Sequence, residues 1–539
     1  MPELKERKKK MDKNISRRSF LKGAAASVAG VAAMGLVGSP ILASAEENWD
    51  LETEVLVVGG GGTGVSAAAE AAAAGAKVLV LEKSGIVGGT SNLSGGVMQA
   101  AGTKYQKEFS DFQDDTPEKH AAEWIAEGEG MLDEALVTDL ANGAPDCIDW
   151  LADACGIEWV GVYGHCHVPY VDDSLMADRI HYYKDGGASG SGGIYVQAVW
   201  KYAESLGAEL EVNTEVTDLI VVDGKVAGVE ITVDGETTKI KANKGVILCT
   251  AGIDHDIEMA KQLNAQQYWV ETEYPGTCLC VPTDTGDGIN MACWAGAAVQ
   301  DGPWPTMMHP QAASFWHGPF LFVTPEGKRY MNEATWVQGK CIGLVTQAKS
   351  PYSYSIFDSN YPEYVLQSLP HGGGMFWDNF RFIGSTFEES VETTVNTIEE
   401  GVVNDPKNYF KADTLEELAE MIGVPKDTLL ATVEHYNELC DKGEDTDFYK
   451  DQVFLTPIKE GPFYATRVGA GLLAVVGGLH IDDNNQVCSS DDEVIPGLYA
   501  VGNVSGDMYA IDYPINFMGN SHGRCLVGGY SVGTYLASL

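Results

Sequence analysis

The sequence predicts an α/β fold organised around one nucleotide-binding β-α-β unit near its N-terminus. An apolar run at 54–58, short enough for a buried strand, leads into Gly59, Gly61 and Gly64 at G-x-G-x-x-G spacing. An alanine-rich segment of helix-forming composition follows, and a second apolar run then ends at Glu82. Such glycines allow a tight turn and let backbone N–H groups approach a pyrophosphate, whose charge the helix N-terminus favours. The unit therefore predicts a dinucleotide site, with Glu82 placed to accept a hydrogen bond from a ribose hydroxyl.

A second glycine-rich loop indicates which dinucleotide is bound. Residues 88–96 contain two pairs of glycines with Thr90 and Ser91 between them. Two donor-rich loops close together suit a long dinucleotide with a ring system under the backbone, which FAD requires and NAD does not. Further on, a buried strand at 245–250 is followed by Ala251 and Gly252, whose small size lets the backbone come close to a flat ring system. These observations predict FAD.

The first 45 residues predict an export signal. They contain nine Lys or Arg against three Asp or Glu, and an uncharged run extends from Gly23 to Ala45. Residues 16–22 resemble a twin-arginine signal, and 43–45 offer a small-residue cleavage site. Glycine and alanine dominate the run, so it suits a membrane anchor only marginally. We expect twin-arginine export of the folded, cofactor-loaded protein to a periplasmic or extracytoplasmic location, with membrane association left open.

The charge balance limits the partners that the protein can bind. The net charge is −42, and without the first 45 residues 26 basic residues face 74 acidic ones. Such a surface repels nucleic acid and anionic lipid, and it attracts a basic partner such as a small cytochrome. The alternative is that the acidity serves solubility alone.

Length and cysteine usage indicate a two-domain protein without a disulfide framework. About 490 residues remain after the leader, which is more than one ordinary domain. The eleven cysteines include no C-x-x-C pair and no C-x-x-C-H haem site. Cys147, Cys155 and Cys166, together with the pair at 278–280, are candidate iron–sulfur ligands, but their spacing is loose. We therefore predict no metal site.

Motifs over nearly the whole chain after the leader resemble those of the FAD-dependent fumarate reductase and succinate dehydrogenase flavoprotein superfamily. This superfamily includes urocanate reductases, 3-ketosteroid dehydrogenases and cardiac glycoside reductases. Besides the β-α-β unit, the matching segments are 88–96, 179–181 before 186–187, 251–252, 285–288, 327–333, 477–482 and 496–503.

The resemblance implies a Rossmann-like FAD-binding domain built from both chain ends, with an inserted α+β capping domain. The FAD-binding domain covers 50–310 and 470–539, and the capping domain, 311–469, closes over the flavin ring to form the substrate pocket. The last helix, from about Gly519, points its positive end at the flavin pyrimidine, which favours an anionic reduced flavin. His522 supports the flavin O2 region. The implied cofactor-binding residues are Gly59, Gly61, Thr63, Gly64, Glu82, Lys83, Gly88, Gly89, Thr90, Ser91, Gly95, Gly96, Val216, Ala251, Gly252, Asp287, Gly478, Asn503, Gly519, Ser521 and His522.

Several positions that bind fumarate in the superfamily are changed. The segment 332–337 lacks the proton-delivering arginine, 311–316 lacks its relay partners, and 473–476 lacks a histidine. Asn516 stands where the carboxylate-binding arginine is expected, and His309 is retained. Two buried carboxylates without guanidinium partners are strongly disfavoured, so we expect a larger and mostly apolar substrate. Candidate pocket aromatics, which core packing would also explain, are Trp304, Phe315, Trp316, Phe320, Phe322 and Trp336.

The first candidate catalytic residue is Tyr513. With Pro514 it resembles the Tyr-Pro of ketosteroid dehydrogenases, although the spacing to Gly519 is two residues longer. Its hydroxyl would act as an acid or as a hydrogen-bond donor to a carbonyl. The other candidates are His309, Arg524, Glu333, Tyr330 and Arg467. Arg524 has the alternative of forming an outward salt bridge from the last helix.

Together these features predict an exported FAD-dependent oxidoreductase acting on CH–CH or C=C bonds, of the kind used in anaerobic respiration. The expected reaction is reduction of an enone or enoate by hydride from flavin N5. Because the chain has no haem motif, no attached flavin domain and only one dinucleotide motif, electrons would come from a separate carrier, such as a cytochrome or a membrane quinol-linked protein. The alternatives are a ketosteroid-type dehydrogenase working in the opposite direction and a non-catalytic electron-transfer flavoprotein.

Overall fold

The structure is a computed structural model that describes residues 39–43, 48–166, 171–187, 190–233, 235–263, 278–310, 318–374, 385–511, 513 and 518–539. Most of the predicted leader, together with Phe315, Trp316 and Asn516, lies outside the described residues. The strands are β1 (Ile41–Ala43), β2 (Leu51–Val58), β3 (Val78–Leu81), β4 (Met98–Gln99), β5 (Trp159–Tyr163), β6 (Ile180–Tyr183), β7 (Glu209–Glu211), β8 (Val216–Val222), β9 (Lys225–Val233), β10 (Glu236–Leu248), β11 (Thr306–His309), β12 (Leu321–Val323), β13 (Tyr352–Phe357), β14 (Tyr409–Ala412), β15 (Phe463–Gly469), β16 (Gly471–Val475), β17 (Gln486–Cys488) and β18 (Val494–Ala500). The α-helices are α1 (Gly62–Ala73), α2 (Lys104–Phe109), α3 (Pro117–Glu127), α4 (Glu134–Asp153), α5 (Gly193–Ser205), α6 (Ile257–Leu263), α7 (Asp287–Trp294), α8 (Val337–Gly343), α9 (Tyr361–Ser368), α10 (Phe387–Asn404), α11 (Leu415–Ile422), α12 (Lys426–Lys442) and α13 (Asn520–Ser538).

The main sheet contains a parallel centre in the order β7-β3-β2-β10-β18. Val55–Val58, the second half of β2, is buried, as are all four residues of β3, because helices cover both faces of a parallel sheet. The carboxyl ends of β2, β3, β10 and β18 meet at one edge. In open α/β sheets this edge is where ligands bind.

The two ends of the chain meet in the packing of α13 against α1. A Cβ at Gly529 would clash with the carbonyl oxygen of Thr63, and one at Gly533 would clash with that of Ala67. The absence of side chains at these two positions lets the helix backbones approach closely. The predicted FAD-binding fold built from both ends of the chain is thereby explained.

A separate antiparallel sheet, in the order β12-β13-β15-β14, lies between the two parts of the main fold. Its residues come from 321–469, and α9, α10, α11 and α12 lie in the same stretch of the chain. The α+β character of this insertion agrees with the predicted fold class. The limits of the capping domain, at 311 and 469, stay a prediction.

Three local details complete the fold. Residues 117–153 contain two helices, α3 and α4, separated at 128–133. The strand expected at 245–250 falls at the end of the longer β10, which has an irregularity between Ala242 and Gly245. β1 lies inside the predicted leader and pairs in parallel with β8. Among the described residues, no helix is long and apolar enough to span a membrane.

Candidate active site

The turn between β2 and α1 has the geometry of a pyrophosphate cradle. Gly59 has φ of +103°, and a Cβ there would clash with the carbonyl oxygen of Cys249. A Cβ at Gly64 would clash with Gly59, so only glycine lets the helix lie this close to the strand. α1 begins without a side-chain cap, and a Cβ at Gly61 would meet only the Gly88 carbonyl oxygen, at 3.8 Å. The first turn of α1 therefore leaves room and backbone N–H groups for a phosphate.

Glu82 directly follows β3, beside this turn. Its two carboxylate oxygens accept from the backbone N–H groups of Gly60 and Ser84, each at 2.7 Å. These bonds orient the carboxylate for a ribose hydroxyl. The next residue, Lys83, forms an ion pair with Asp287 at 2.7 Å and one with Glu215 at 3.1 Å. The predicted contacts Lys83 and Asp287 thus join the end of β3 to the start of α7.

The second glycine loop lies against the first. Ser91 Oγ accepts from the backbone N–H of Gly62 at 3.2 Å, and Thr90 Oγ1 donates to Asp284 at 2.7 Å. Gly61 and Gly88 form a parallel bridge. The two loops are therefore a single surface, as a long dinucleotide requires.

The remaining predicted cofactor residues surround the same edge of the sheet. Ala251 and Gly252 follow β10, and Asn503 follows β18. Val216 is the first residue of β8, which begins five residues after the end of β7. Thr63, Gly89, Gly95, Gly96, Gly478, Gly519, Ser521 and His522 lie in the two glycine loops, in the loop after β16 and at the start of α13. The cradle fits FAD, and the individual contacts stay predictions.

His522 has a partner that the sequence does not reveal. Its Nδ1 lies 2.9 Å from the hydroxyl of Tyr195, at the start of α5. Burial lowers the pKa of His522 to about 4, so the imidazole is neutral at pH 7. No motif spacing marks Tyr195, because only the packing of α5 against α1 brings it to this point.

Tyr513 lies where three elements meet. Its hydroxyl accepts from the backbone N–H of Ser521 at 3.0 Å, in the first turn of α13. Its own N–H donates to the carbonyl of Thr306 in β11 at 3.3 Å, and Gln338 in α8 donates to its carbonyl. The side chain is 3% exposed, and burial raises the pKa of Tyr513 well above its usual value of 10. The phenol therefore keeps its proton at neutral pH and can donate it in a hydrogen bond.

Arg524 is buried and, among the residues that the structure describes, forms no salt bridge, so the outward alternative is wrong. Its guanidinium donates to the carbonyls of Val476 at 3.1 Å and Gly502 at 2.8 Å, and to Asn503 Oδ1 at 3.1 Å. These bonds tie α13 to the segments after β16 and β18. The geometry favours a positioning role for Arg524 rather than contact with substrate.

Glu333 belongs to a buried ion cluster of the cap. It is fully buried, accepts from Arg329 at 2.8 Å, and pairs with Lys450 at 3.1 Å. Arg329 also binds Asp445, and the Phe322 N–H donates to Glu333. Because both carboxylate oxygens of Glu333 are bound by these partners, the geometry favours a structural role for this residue.

The other candidates occupy different environments. His309 is half-buried in β11, opposite Gly471 of β16. Tyr330 is buried and its hydroxyl lies 2.9 Å from Ser353 Oγ, whereas Arg467 lies over the ring of Tyr352. Of these, only His309 shares a strand with the backbone partner of Tyr513.

The expected aromatic pocket is largely core. Trp304 is 1% exposed and donates to the carbonyl of Gln300, while Phe320 and Phe322 are fully buried. Their apolar side chains therefore pack in the core, and the prediction that these three residues line the pocket is wrong. Trp336 remains partly exposed.

Comparison with known proteins supports the same cofactor and fold. The model of the FAD binding domain family matches residues 54–514. The chain belongs to this family. Its relatives are FAD-dependent fumarate reductases, other reductases of C=C bonds, and dehydrogenases, so this flavoprotein is an enzyme acting on CH–CH or C=C bonds with FAD as its cofactor. A twin-arginine signal matches residues 14–34, which confirms the expected export route.

Three relatives show the range of the family. The NADH:acrylate oxidoreductase of Vibrio harveyi is 28% identical over 85% of the chain, which spans 48% of that longer protein. The fumarate reductase (cytochrome) of Shewanella frigidimarina is 30% identical, with 85% of this flavoprotein and 72% of the relative covered. The digoxin reductase of Eggerthella lenta is 27% identical, with 93% and 94% covered.

A solved structure shows the same architecture. The 3-ketosteroid-Δ4-(5α)-dehydrogenase of Rhodococcus jostii RHA1, in complex with 4-androstene-3,17-dione, superposes with a TM-score of 0.66 and 26% identity. The match covers 92% of this flavoprotein and 100% of that chain. The predicted family and fold class are confirmed.

Proposed function

We propose that the chain is an exported FAD-dependent reductase of an activated C=C bond in a largely apolar enone or enoate that is not a dicarboxylate. The observation that carries this proposal is the position of the Tyr513 hydroxyl at the N-terminus of α13, while the backbone of Tyr513 is held by α8 and β11. In the superfamily the flavin pyrimidine is expected at the start of this last helix. A protonated phenol there suits a substrate carbonyl.

Bound FAD supplies the hydride that reduces the carbon β to the carbonyl. Tyr513 holds the carbonyl oxygen by donating its O–H while negative charge develops there. The Ser521 N–H that reaches the phenol oxygen and the positive end of α13 both make that O–H a stronger donor. A single preorganised donor of this kind contributes roughly 10²–10³ in rate.

His309 is the proposed proton donor to the α carbon. It lies in β11, three residues after Thr306, whose carbonyl accepts from the N–H of Tyr513. The same short strand therefore carries His309 and holds the backbone of Tyr513. Pairing of β11 with β16 keeps this strand in place.

The charges of the described residues argue against a dicarboxylate substrate. Arg524, which acts on Tyr513, and Lys340 of α8 are both buried, and they donate to the backbone carbonyls of Val476, Gly502 and Gly374. Segment 334–337 contributes no cation. Moving two carboxylates out of water without paired cations would cost several kcal/mol for each group.

We further propose that electrons reach the flavin from a separate extracytoplasmic carrier, such as a cytochrome or a membrane quinol-linked protein, and that the enzyme can associate with the membrane through that carrier. The net charge of −42 supports a basic donor. The relatives include a fumarate reductase (cytochrome) and an NADH:acrylate oxidoreductase, whose names indicate that electron donors vary within the family.

A substrate panel tests the proposal. The purified mature flavoprotein is given viologen reduced by dithionite, together with fumarate, urocanate, cinnamates or steroid enones. We expect turnover with an apolar member of the panel and little with fumarate. Rapid reduction of fumarate would refute the proposed substrate class.

A matched pair of variants tests the role of Tyr513. Tyr513→Phe should retain FAD and lose roughly 10²–10³ in kcat. Tyr509→Phe is the control, since Tyr509 is also a buried tyrosine and its ring lies 5.2 Å from that of Tyr513. Full activity of Tyr513→Phe would exclude this assignment.

The second candidate function is a ketosteroid-type dehydrogenase that removes hydrogen from a saturated ketone. It is favoured by the Tyr513-Pro514 pair and by the similarity to the Rhodococcus enzyme. The flavin midpoint potential and rates with an artificial electron acceptor distinguish the two directions. Faster oxidation of a saturated steroid ketone than reduction of its enone would favour this second function.

A further inference from the structure

A buried group of side chains that can bind a metal lies beside the second glycine loop and has no role in the proposed reaction. One carboxylate oxygen each of Asp254 and Asp284 and the sulfur of Cys280 all lie within 4.8 Å of one another. The three residues are 1%, 6% and 6% exposed. Asp254 follows β10, Cys280 lies in the segment before α7, and Asp284 is three residues before that helix.

Backbone bonds hold this group in place. The N–H of His255 donates to the carbonyl of Asp284 at 2.9 Å, and the N–H of Gly286 donates to that of Gly252 at 3.1 Å. Cys278 forms a parallel bridge with Leu472 of β16. The loops that contribute the three donors are therefore braced against one another and against the sheet.

Each carboxylate is oriented by a hydrogen bond to one of its oxygens. The Val475 N–H donates to Oδ1 of Asp254 at 2.6 Å, and Thr90 Oγ1 donates to Oδ2 of Asp284 at 2.7 Å. Asp254 also bonds the Cys280 thiol, whose sulfur lies 2.9 Å from the carbonyl oxygen of Leu473, and this thiol would lose its proton on binding an ion. Outer hydrogen bonds of this kind are the usual support of metal-ligating carboxylates.

Two more donors adjoin the group. The sulfur of Cys278 lies 3.4 Å from Nε2 of His255 and 3.7 Å from the carbonyl oxygen of Asp254. Cys278 and Cys280 are separated by one residue, so a single ion can reach both sulfurs. His255 is then placed to donate a hydrogen bond to the Cys278 thiolate.

The charge balance calls for a cation. Two carboxylates this close cannot both ionise in a buried place without a compensating positive charge. The groups that can offset the charge of Asp284 are His255 and Lys83. The Lys83 ammonium is engaged by Asp287 at 2.7 Å and Glu215 at 3.1 Å, and Nε2 of His255 lies 3.2 Å from the Cys280 carbonyl oxygen. Two thiols and two carboxylates are soft and hard donors together, which suits Zn²⁺ or Fe²⁺ and disfavours the all-oxygen ions Ca²⁺ and Mg²⁺.

We propose that Asp254, Cys278, Cys280 and Asp284 bind one divalent transition-metal ion of the zinc or iron type. In a tetrahedral site with bonds of about 2.0–2.3 Å, the donor atoms stand roughly 3–4 Å apart, so contraction by about 1 Å completes the site. The ion would tie the loop after β10 to the start of α7. Through Thr90 it would also hold the second glycine loop against both.

Metal content of the FAD-loaded enzyme tests this site. After growth with added zinc, the wild type should carry about one metal ion per chain by elemental analysis, and Cys280→Ser and Asp284→Asn should carry less than a tenth of that. Cys488→Ser and Asp358→Asn are matched controls, since both alter buried residues whose polar atoms bond the backbone elsewhere. The controls should keep the wild-type content.

Cobalt gives a second measurement that does not depend on how well the variants fold. Cobalt-loaded minus zinc-loaded spectra of the wild type should show a thiolate-to-cobalt charge-transfer band, and the flavin absorption cancels in the difference. The proposal is overturned if the zinc-grown wild type carries no more metal than Cys280→Ser, or if the cobalt band is absent. It is equally overturned if Asp284→Asn raises the unfolding temperature with no change in metal content, since the two carboxyls would then share a proton.

Discussion

Two buried lysines of the cap should respond in opposite ways to the same substitution. Lys340, in α8, is fully buried and donates to the carbonyl of Gly374. Burial, with a smaller effect from the charge of Lys450, lowers the pKa of Lys340 from 10.5 to about 7. Lys450 is as deeply placed but pairs with Glu333 at 3.1 Å; burial alone would lower its pKa, and this pairing raises it.

The magnitude for Lys340 follows from linkage. Between pH 6 and 9 the unfolded chain keeps the Lys340 proton and the folded chain loses it, so stability rises with pH by about 2.7 kcal/mol. At pH 6 the charged form costs about 5 kcal/mol of stability. Lys340→Met removes this cost and leaves the Gly374 carbonyl without its donor, which costs roughly 1–3 kcal/mol. The variant should therefore be more stable by about 2–4 kcal/mol at pH 6 and nearly unchanged at pH 9.

Urea unfolding of the FAD-loaded protein, followed by fluorescence at pH 6 and pH 9, measures the effect. The wild type minus Lys340→Met difference isolates this one residue from all other titrating groups. Lys450→Met is the control and should lose about 3–5 kcal/mol, because it leaves Glu333 short of a cation. If Lys340→Met is destabilised at pH 6, or keeps the wild-type change between the two pH values, the reasoning is refuted.

Two further predictions concern the sheet edge and its helices. Gly529→Ala should force α13 away from α1, lower the amount of bound FAD and reduce the free energy of unfolding by about 1–3 kcal/mol. Gly528→Ala is the control and should have neither effect, because its Cβ would meet Val501 at an ordinary 3.4 Å. Equal FAD retention in the two variants would contradict this prediction. His480 lies between Asp507 and Asp492, and chiefly Asp507 raises the pKa of His480 to about 9. The stabilisation of the fold by protonated His480 is complete below pH 6.5 and is lost as pH rises through about 9. After allowance for solvent exposure it amounts to roughly 1 kcal/mol. His480→Gln should therefore show a smaller fall in urea midpoint between pH 6 and 10 than the wild type.

The amino-acid sequence by itself determined the parts of the site that depend on backbone shape. The glycines at 59, 61 and 64 and the acid at 82 mark a turn that few other residues can adopt, so a local pattern was enough to predict a dinucleotide site, and the second glycine loop at 88–96 indicated FAD. The same holds for the α13 N-terminus at Gly519, since its glycine and following polar residues are read along one segment. The twin-arginine segment is also a local pattern.

Only the tertiary structure decided the roles that depend on burial and on neighbours distant in the chain. The inward Arg524, the packed Trp304 and the ion cluster around Glu333 were misread or left open, because charge and aromaticity are visible in a sequence but their surroundings are not. Asp254, Cys280 and Asp284 form a group only because β10 and the loop before α7 end at the same edge of the sheet. Desolvation and charge pairing act across folded contacts, and for that reason no spacing along the chain predicts them.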